Sequence, residues 1–160
     1  MSDMKKILNS WLSQTKIDLR RNYVRTKRKA SGNWGRELKE FTKSEPNKIK
    51  AGMMAPKYTG AITDGRSPNK NQDPEAIRKW VGWAGSTFLA EWVKNKGVSA
   101  NPFAVAYKIA TEGWQIPNKH NKGDLVSNVL TDKWIESLNK SLSLYFVENF
   151  KSDFKKIITK

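Results

Sequence analysis

The chain has 160 residues and a mass of 18.3 kDa, with 30 Lys and Arg against 15 Asp and Glu, a net charge of +15. That length suits one domain, 1–160, while the charge and a pI near 10.0 argue against a neutral metabolic enzyme and for a polyanionic partner. Zero Cys excludes disulfides, Cys-ligated zinc, iron–sulfur clusters and thiol nucleophiles, and 7 Trp, 6 Phe and 4 Tyr are too aromatic for a disordered basic tail.

In chain order, Met4, Ile7, Leu8, Trp11 and Leu12 recur at helical spacing and predict an amphipathic helix from Asp3 to about Leu19. The turn-rich stretch 28–35 ends it. A β region follows: Leu38 and Phe41 near a first strand, a turn at Pro46-Asn47, then Ile49, Ala51 and Met53 in alternation. Residues 58–62 fit a third strand or a short helix equally well. Asp73-Pro74-Glu75 opens the next helix, since Asp accepts free N–H groups and Pro suits the first helical position. Ile77, Trp80, Val81, Ala84, Phe88 and Trp92 keep its period, so one helix is expected to reach Lys96 and stop at Gly97, weakened by Gly82 and Gly85. Asn101-Pro102 opens another, with Phe103, Ala106, Tyr107 and Ala110 on one face and Gly113 at its end. A last helical region runs from Ile135 to Ile157, with a bend expected around 141–145. The fold class expected is α+β: an N-terminal helix, a small antiparallel β meander, then two or three helices packed on one face.

The charge is uneven. Residues 1–70 hold 17 basic and 6 acidic residues, residues 71–160 hold 13 and 9. The densest run is Arg20, Arg21, Arg25, Lys27, Arg28 and Lys29, expected to follow the first helix and to face nucleic acid or an acidic partner. Six charges so close cannot all be buried without six partners.

Little in the chain supports catalysis. His120, the only histidine, sits in a polar loop with no acid or nucleophile beside it. Glu37-Leu38-Lys39 has the Glu-x-Lys form of one nuclease class, with Asp18 upstream, but such a triplet arises readily in a highly charged chain, and Asp18 falls on a predicted helix where that class wants a strand. No Gly-rich phosphate loop occurs. The expectation is a non-enzyme with no cofactor and no metal site. Most aromatics, Phe103 and Tyr107 among them, fall at core spacing and are expected inside. Trp83 and Trp114 lie off that pattern and are candidates for a subunit interface. No apolar run is long enough to span a membrane, and the spaced apolar residues at the N-terminus do not form a secretory signal. The chain is therefore expected in the cytoplasm where it is made, or in a particle assembled there. A basic first helix lying on a membrane is the weaker alternative.

Residues 58–116 carry a more specific pattern: Tyr58, Asp64, Gly65, Arg66, Pro68, Pro74, Ile77, Trp80, Lys96, Gly97, Phe103, Ala104, Ile109, Gly113 and Trp114. This resembles the tail-completion or neck proteins of tailed bacteriophages, in which a Tyr and a short apolar segment lead to Gly-Arg-x-Pro, a Pro-opened helix with Ile and Trp, a Lys-Gly turn and a second helix closing at Gly. The chain departs from it where residues 82–92 separate Trp80 from Lys94, an insertion or a longer helix. The resemblance implies a non-enzymatic virion structural protein, made in the host cytoplasm. It would form a homo-oligomeric ring at the head–tail junction, between portal or adaptor and tail proteins, around a channel crossed by double-stranded DNA. A ring interface is heterologous, and 52–72 and 114–121, as loops, would supply its patches. Gly65 is expected at positive φ, and Arg66 paired with an acid within or across the subunit. A stand-alone nonspecific nucleic-acid-binding protein is the competing reading.

Overall fold

A computed structural model of the chain describes residues 2–26, 32–69, 72–118 and 121–158. The element order is α1 (Ser2–Arg25), α2 (Asn33–Glu37), β1 (Lys39–Glu45), β2 (Lys48–Met54), α3 (Thr59–Thr63), β3 (Gly65–Arg66), α4 (Pro74–Ser86), α5 (Phe88–Lys96), α6 (Pro102–Glu112), β4 (Trp114–Gln115) and α7 (Asp132–Ile158). The fold is α+β, as the sequence pattern indicates. The β region is a two-stranded antiparallel hairpin, β1 with β2, and the undecided segment 58–62 is the short helix α3.

Helix α1 runs six residues past the expected end at Leu19. Leu12, Thr15, Leu19, Asn22 and Tyr23 continue one buried face to its last turn, and neither Gly nor Pro intervenes. Leu19, Tyr23, Trp34, Leu38 and Leu125 form the first core cluster, with Met53, Ile62, Val126 and Val129 against it. Asn22 fastens α1 to the distant chain: its buried amide donates to the carbonyls of Asp124 and Leu125 at 3.0 and 2.9 Å.

The second cluster joins α4, α5 and α6 through Ala84, Leu89, Ala106 and Ile109, with Trp80, Val81 and Val105 beside it. Its seam is made of small side chains: Ala84, Ala106 and Ala110 are fully buried. This corrects the expected burial of the large aromatics. The seam lets α4 and α6 approach closely, so Phe103 and Tyr107 ride on its rim, 45% and 60% exposed. The single helix expected to Lys96 is also two helices. Ser86 and Thr87 hydroxyls donate back to the carbonyls of Gly82 and Trp83 at 2.7 and 2.6 Å, which bends a helix, and Thr87 leaves helical geometry at φ −115, ψ −107.

The helix ends follow the local sequence signals. Asp73 caps α4 by accepting from the backbone of Glu75 and Ala76, Asn101 caps α6, and Gly97 closes α5 in the left-handed conformation. Helix α7 continues unbroken through 141–145, where the sequence suggests a bend, because no Gly or Pro interrupts it. It docks on α1 through its first turn: Trp11 and Trp134 lie 6.1 Å apart, and Trp134 Nε1 donates to Thr15 Oγ1 at 2.9 Å.

Candidate functional site

The segment carrying the Gly-Arg motif is built onto the end of α6. Gly65 pairs with Gln115 and Arg66 with Trp114 in the antiparallel β3–β4 ladder. Gly65 has φ +89, as expected, and a Cβ there would collide with the Trp114 carbonyl oxygen. Gly113 also has positive φ, and its Cβ would come within 2.6 Å of the Arg66 carbonyl oxygen. Two glycines thus let the strands approach backbone to backbone. Asn69 N donates to the Ala110 carbonyl at 2.8 Å, and the Gln72 amide donates to that of Thr111 at 2.9 Å. Segment 52–72, expected as a loop, holds the end of β2, α3 and β3 among its described residues, and Trp114, also expected in a loop, lies in β4.

Arg66 has no acid partner within the chain among the described residues. Its guanidinium lies 3.9 Å from the centroid of the Trp80 ring, and Nη2 donates to Asn69 Oδ1 at 2.6 Å. Burial pushes its pKa below the ordinary value, and Nη1 is buried without a hydrogen-bond partner among the described residues. A cleft of about 450 Å³ opens here, walled by Asp64, Arg66, Glu112 and Trp114 among others. The two carboxylates disfavour an anionic occupant of the cleft.

The other expected site residues are scattered. Tyr58 stands just before α3, 43% exposed, its phenol pushed up to about 12 by burial and by the Glu37 charge. Trp83 is 59% exposed on α4, its ring 5.5 Å from Phe88, and Trp114 is 37% exposed. Arg20, Arg21 and Arg25 lie on α1 itself, because the helix is longer than expected. Arg20 donates to the Gly35 carbonyl, Arg21 pairs with Asp18 at 2.8 Å, and Arg25 donates to Asn22 Oδ1 at 2.9 Å. Lys27, Arg28, Lys29 and His120 fall outside the described residues. Of the nuclease-like residues, Asp18 is engaged by Arg21 and Gln14, Glu37 ends α2 and Lys39 begins β1. No helix among the described residues is long and apolar enough to cross a membrane.

Two surfaces escape a reading of the sequence. The C-terminal half of α7 carries Phe146, Phe150, Phe154 and Ile157, which are 56%, 71%, 54% and 73% exposed. Their spacing is visible, but it looks like core. The hairpin carries Lys39, Lys43, Lys48 and Lys50, all exposed. Strand alternation is the available signal, once the register is known. The chain matches no family model, and no curated protein and no solved structure is significantly similar to it.

Proposed function

We propose that this chain is a non-enzymatic virion structural protein of the phage head–tail junction, a neck, connector or tail-completion subunit that forms a ring around the DNA channel. Its neighbours in the virion would be portal or adaptor and tail proteins. The resemblance over 58–116 suggests the class, and the motif residues Gly65, Arg66, Trp80, Gly113 and Trp114 meet in one built structure.

The observation that carries the reading is the apolar ridge of α7. Residues at i, i+4, i+8 and i+11 share one helix face, turned away from Trp134, through which the first turn of α7 meets α1. With Val147 and Ile158 beside it, the ridge exposes on the order of 600 Å² of apolar surface. That is at the upper end of the roughly 300–600 Å² found on typical monomers, and near the roughly 800 Å² each partner gives a stable interface. Helix α7 holds five Lys against four Asp and Glu, so it carries almost none of the +15 charge that opposes association of copies. A neighbouring copy is the occupant this charge balance favours.

Sedimentation velocity across a concentration series tests the reading. The parent is expected to self-associate, and the Phe150→Glu/Phe154→Glu variant to remain monomeric with an unchanged thermal midpoint. A parent that stays monomeric at several hundred micromolar, alone and with portal or tail proteins, would remove the support.

A further inference from the structure

The β1–β2 hairpin has two unlike faces. Side chains alternate along a strand, so Glu40 and Thr42 turn one way and Lys39, Phe41, Lys43 and Glu45 the other. The first face meets α1: Glu40 accepts from Ser13 and pairs with Lys16, and Thr42 donates to Asn9. In the register Lys39↔Met54, Phe41↔Gly52, Lys43↔Lys50 and Glu45↔Lys48, the second face gathers Lys39, Lys43, Lys48 and Lys50 around a single acid.

That face is costly to assemble. Lys43 stands directly opposite Lys50, an arrangement that destabilises a sheet. Glu45 alone is shared between Lys48 at 3.1 Å and Lys50 at 2.8 Å, and these two hold its carboxyl below the usual range. Lys39 and Lys43 form no ion pair among the described residues. The Phe41 ring lies over Gly52 on this face, where a Cβ would sit 2.9 Å from its edge.

From this juxtaposition we infer that the outer face of the β1–β2 hairpin, through Lys39, Lys43, Lys48 and Lys50, is a contact site for the phosphate backbone of double-stranded DNA. Lys39 and Lys43 are four residues apart on one strand, about 13 Å at the rise of a β-strand. Flexible lysine stems at that separation can each reach a different phosphate of one duplex. Every cation on the face is Lys, a point charge on a flexible stem. The face has no Arg, Asn or Gln, the side chains that read base edges in pairs of hydrogen bonds. It therefore holds phosphate without reading sequence, which lets a duplex slide. Because α1 covers the opposite side of the hairpin, this site is separate from Arg20, Arg21 and Arg25. The inference rests on the reading that duplex DNA passes this chain, but its test reads phosphate contacts and not assembly.

The experiment is fluorescence anisotropy of the full chain with a mixed-sequence DNA duplex over a series of salt concentrations. The parent is expected to bind, with affinity falling linearly on log–log axes. Lys39→Gln/Lys43→Gln/Lys48→Gln/Lys50→Gln should flatten the slope by about 2 to 4, near 0.9 for each phosphate that is no longer neutralised. The single variant Lys43→Gln should weaken binding while its thermal midpoint stays level or rises, since a like-charge pair is relieved. An unchanged slope in the quadruple variant would overturn the assignment. So would a parent that ignores duplex DNA at low salt, or one that binds polyglutamate with the same lysine dependence, which would give the face to an acidic protein. Sedimentation of the same variants keeps the two readings apart: normal association with abolished DNA binding supports the hairpin site alone.

Discussion

The guanidinium of Arg66 lies over the indole of Trp80, 3.9 Å from the ring centroid, and ties the two-residue strand β3 to the middle of α4. The contact joins residues 14 apart in sequence that belong to different elements, and it stands where an ion pair within the subunit was one of the two expectations. A planar, weakly hydrated cation suits an aromatic face better than an ammonium does. Arg66→Lys is therefore expected to cost about 1–2 kcal/mol, and Trp80→Ala about 2–4 kcal/mol. Urea denaturation gives both, and a Trp80→Phe variant should recover part of the loss.

Gly65 and Gly82 should respond in opposite directions. Gly65→Val places a branched side chain at φ +89 against the Trp114 carbonyl and should destabilise the fold by at least ~2 kcal/mol. Gly82 is exposed on α4 with open space around it, so Gly82→Ala should stabilise by about 0.5–1 kcal/mol. Paired melting curves would show the contrast, and equal effects would contradict the special backbone at 65.

A third prediction concerns the α4–α6 seam. A Cβ at Gly85 would lie 2.5 Å from the Phe103 ring, which covers it. Gly85→Ala should cost about 1–3 kcal/mol through overpacking. In a double-mutant cycle with Phe103→Ala the two changes should couple by about 1 kcal/mol or more, because removing the ring vacates the space.

Asn22 is expected to be worth more than its surroundings suggest. Asn22→Ala takes the amide donor from the buried Leu125 carbonyl and one of the donors from that of Asp124, which Asn128 N also serves, and should cost about 2 kcal/mol. Hydrogen exchange should show faster opening in 121–130 ahead of the α4–α6 unit.

Tyr58 gives a pH signature. Its phenol is raised from 10.0 to about 12, so the folded chain keeps that proton longer than the unfolded one. The resulting stabilisation is whole below pH 10 and is lost as pH rises from 10 to about 12. Ultraviolet titration should show a late tyrosinate step that Tyr58→Phe removes.

The features legible in the sequence are those fixed within a few residues. Asp73-Pro74 and Asn101-Pro102 start helices because their side chains reach backbone donors two or three residues on. Gly97 and Gly113 take positive φ as the residues that close α5 and α6. The α+β class and the exposure of Trp83 and Trp114 off the helical period were also available from pattern alone. Tertiary structure decided which apolar stripes become core. Phe103 and Tyr107 have core spacing, yet burial depends on what a distant segment brings opposite, and Ala84, Ala106 and Ala110 closed the seam without them. The ridge at Phe146, Phe150 and Phe154 stays open for the same reason, since α7 meets α1 at Trp134, near its other end. The lysine face arose in the same way. Lys43 and Lys50 are seven residues apart in sequence, and only strand register sets them opposite one another. Spacing along the chain fixes which side of an element a residue takes, whereas its neighbour there is fixed by long-range packing.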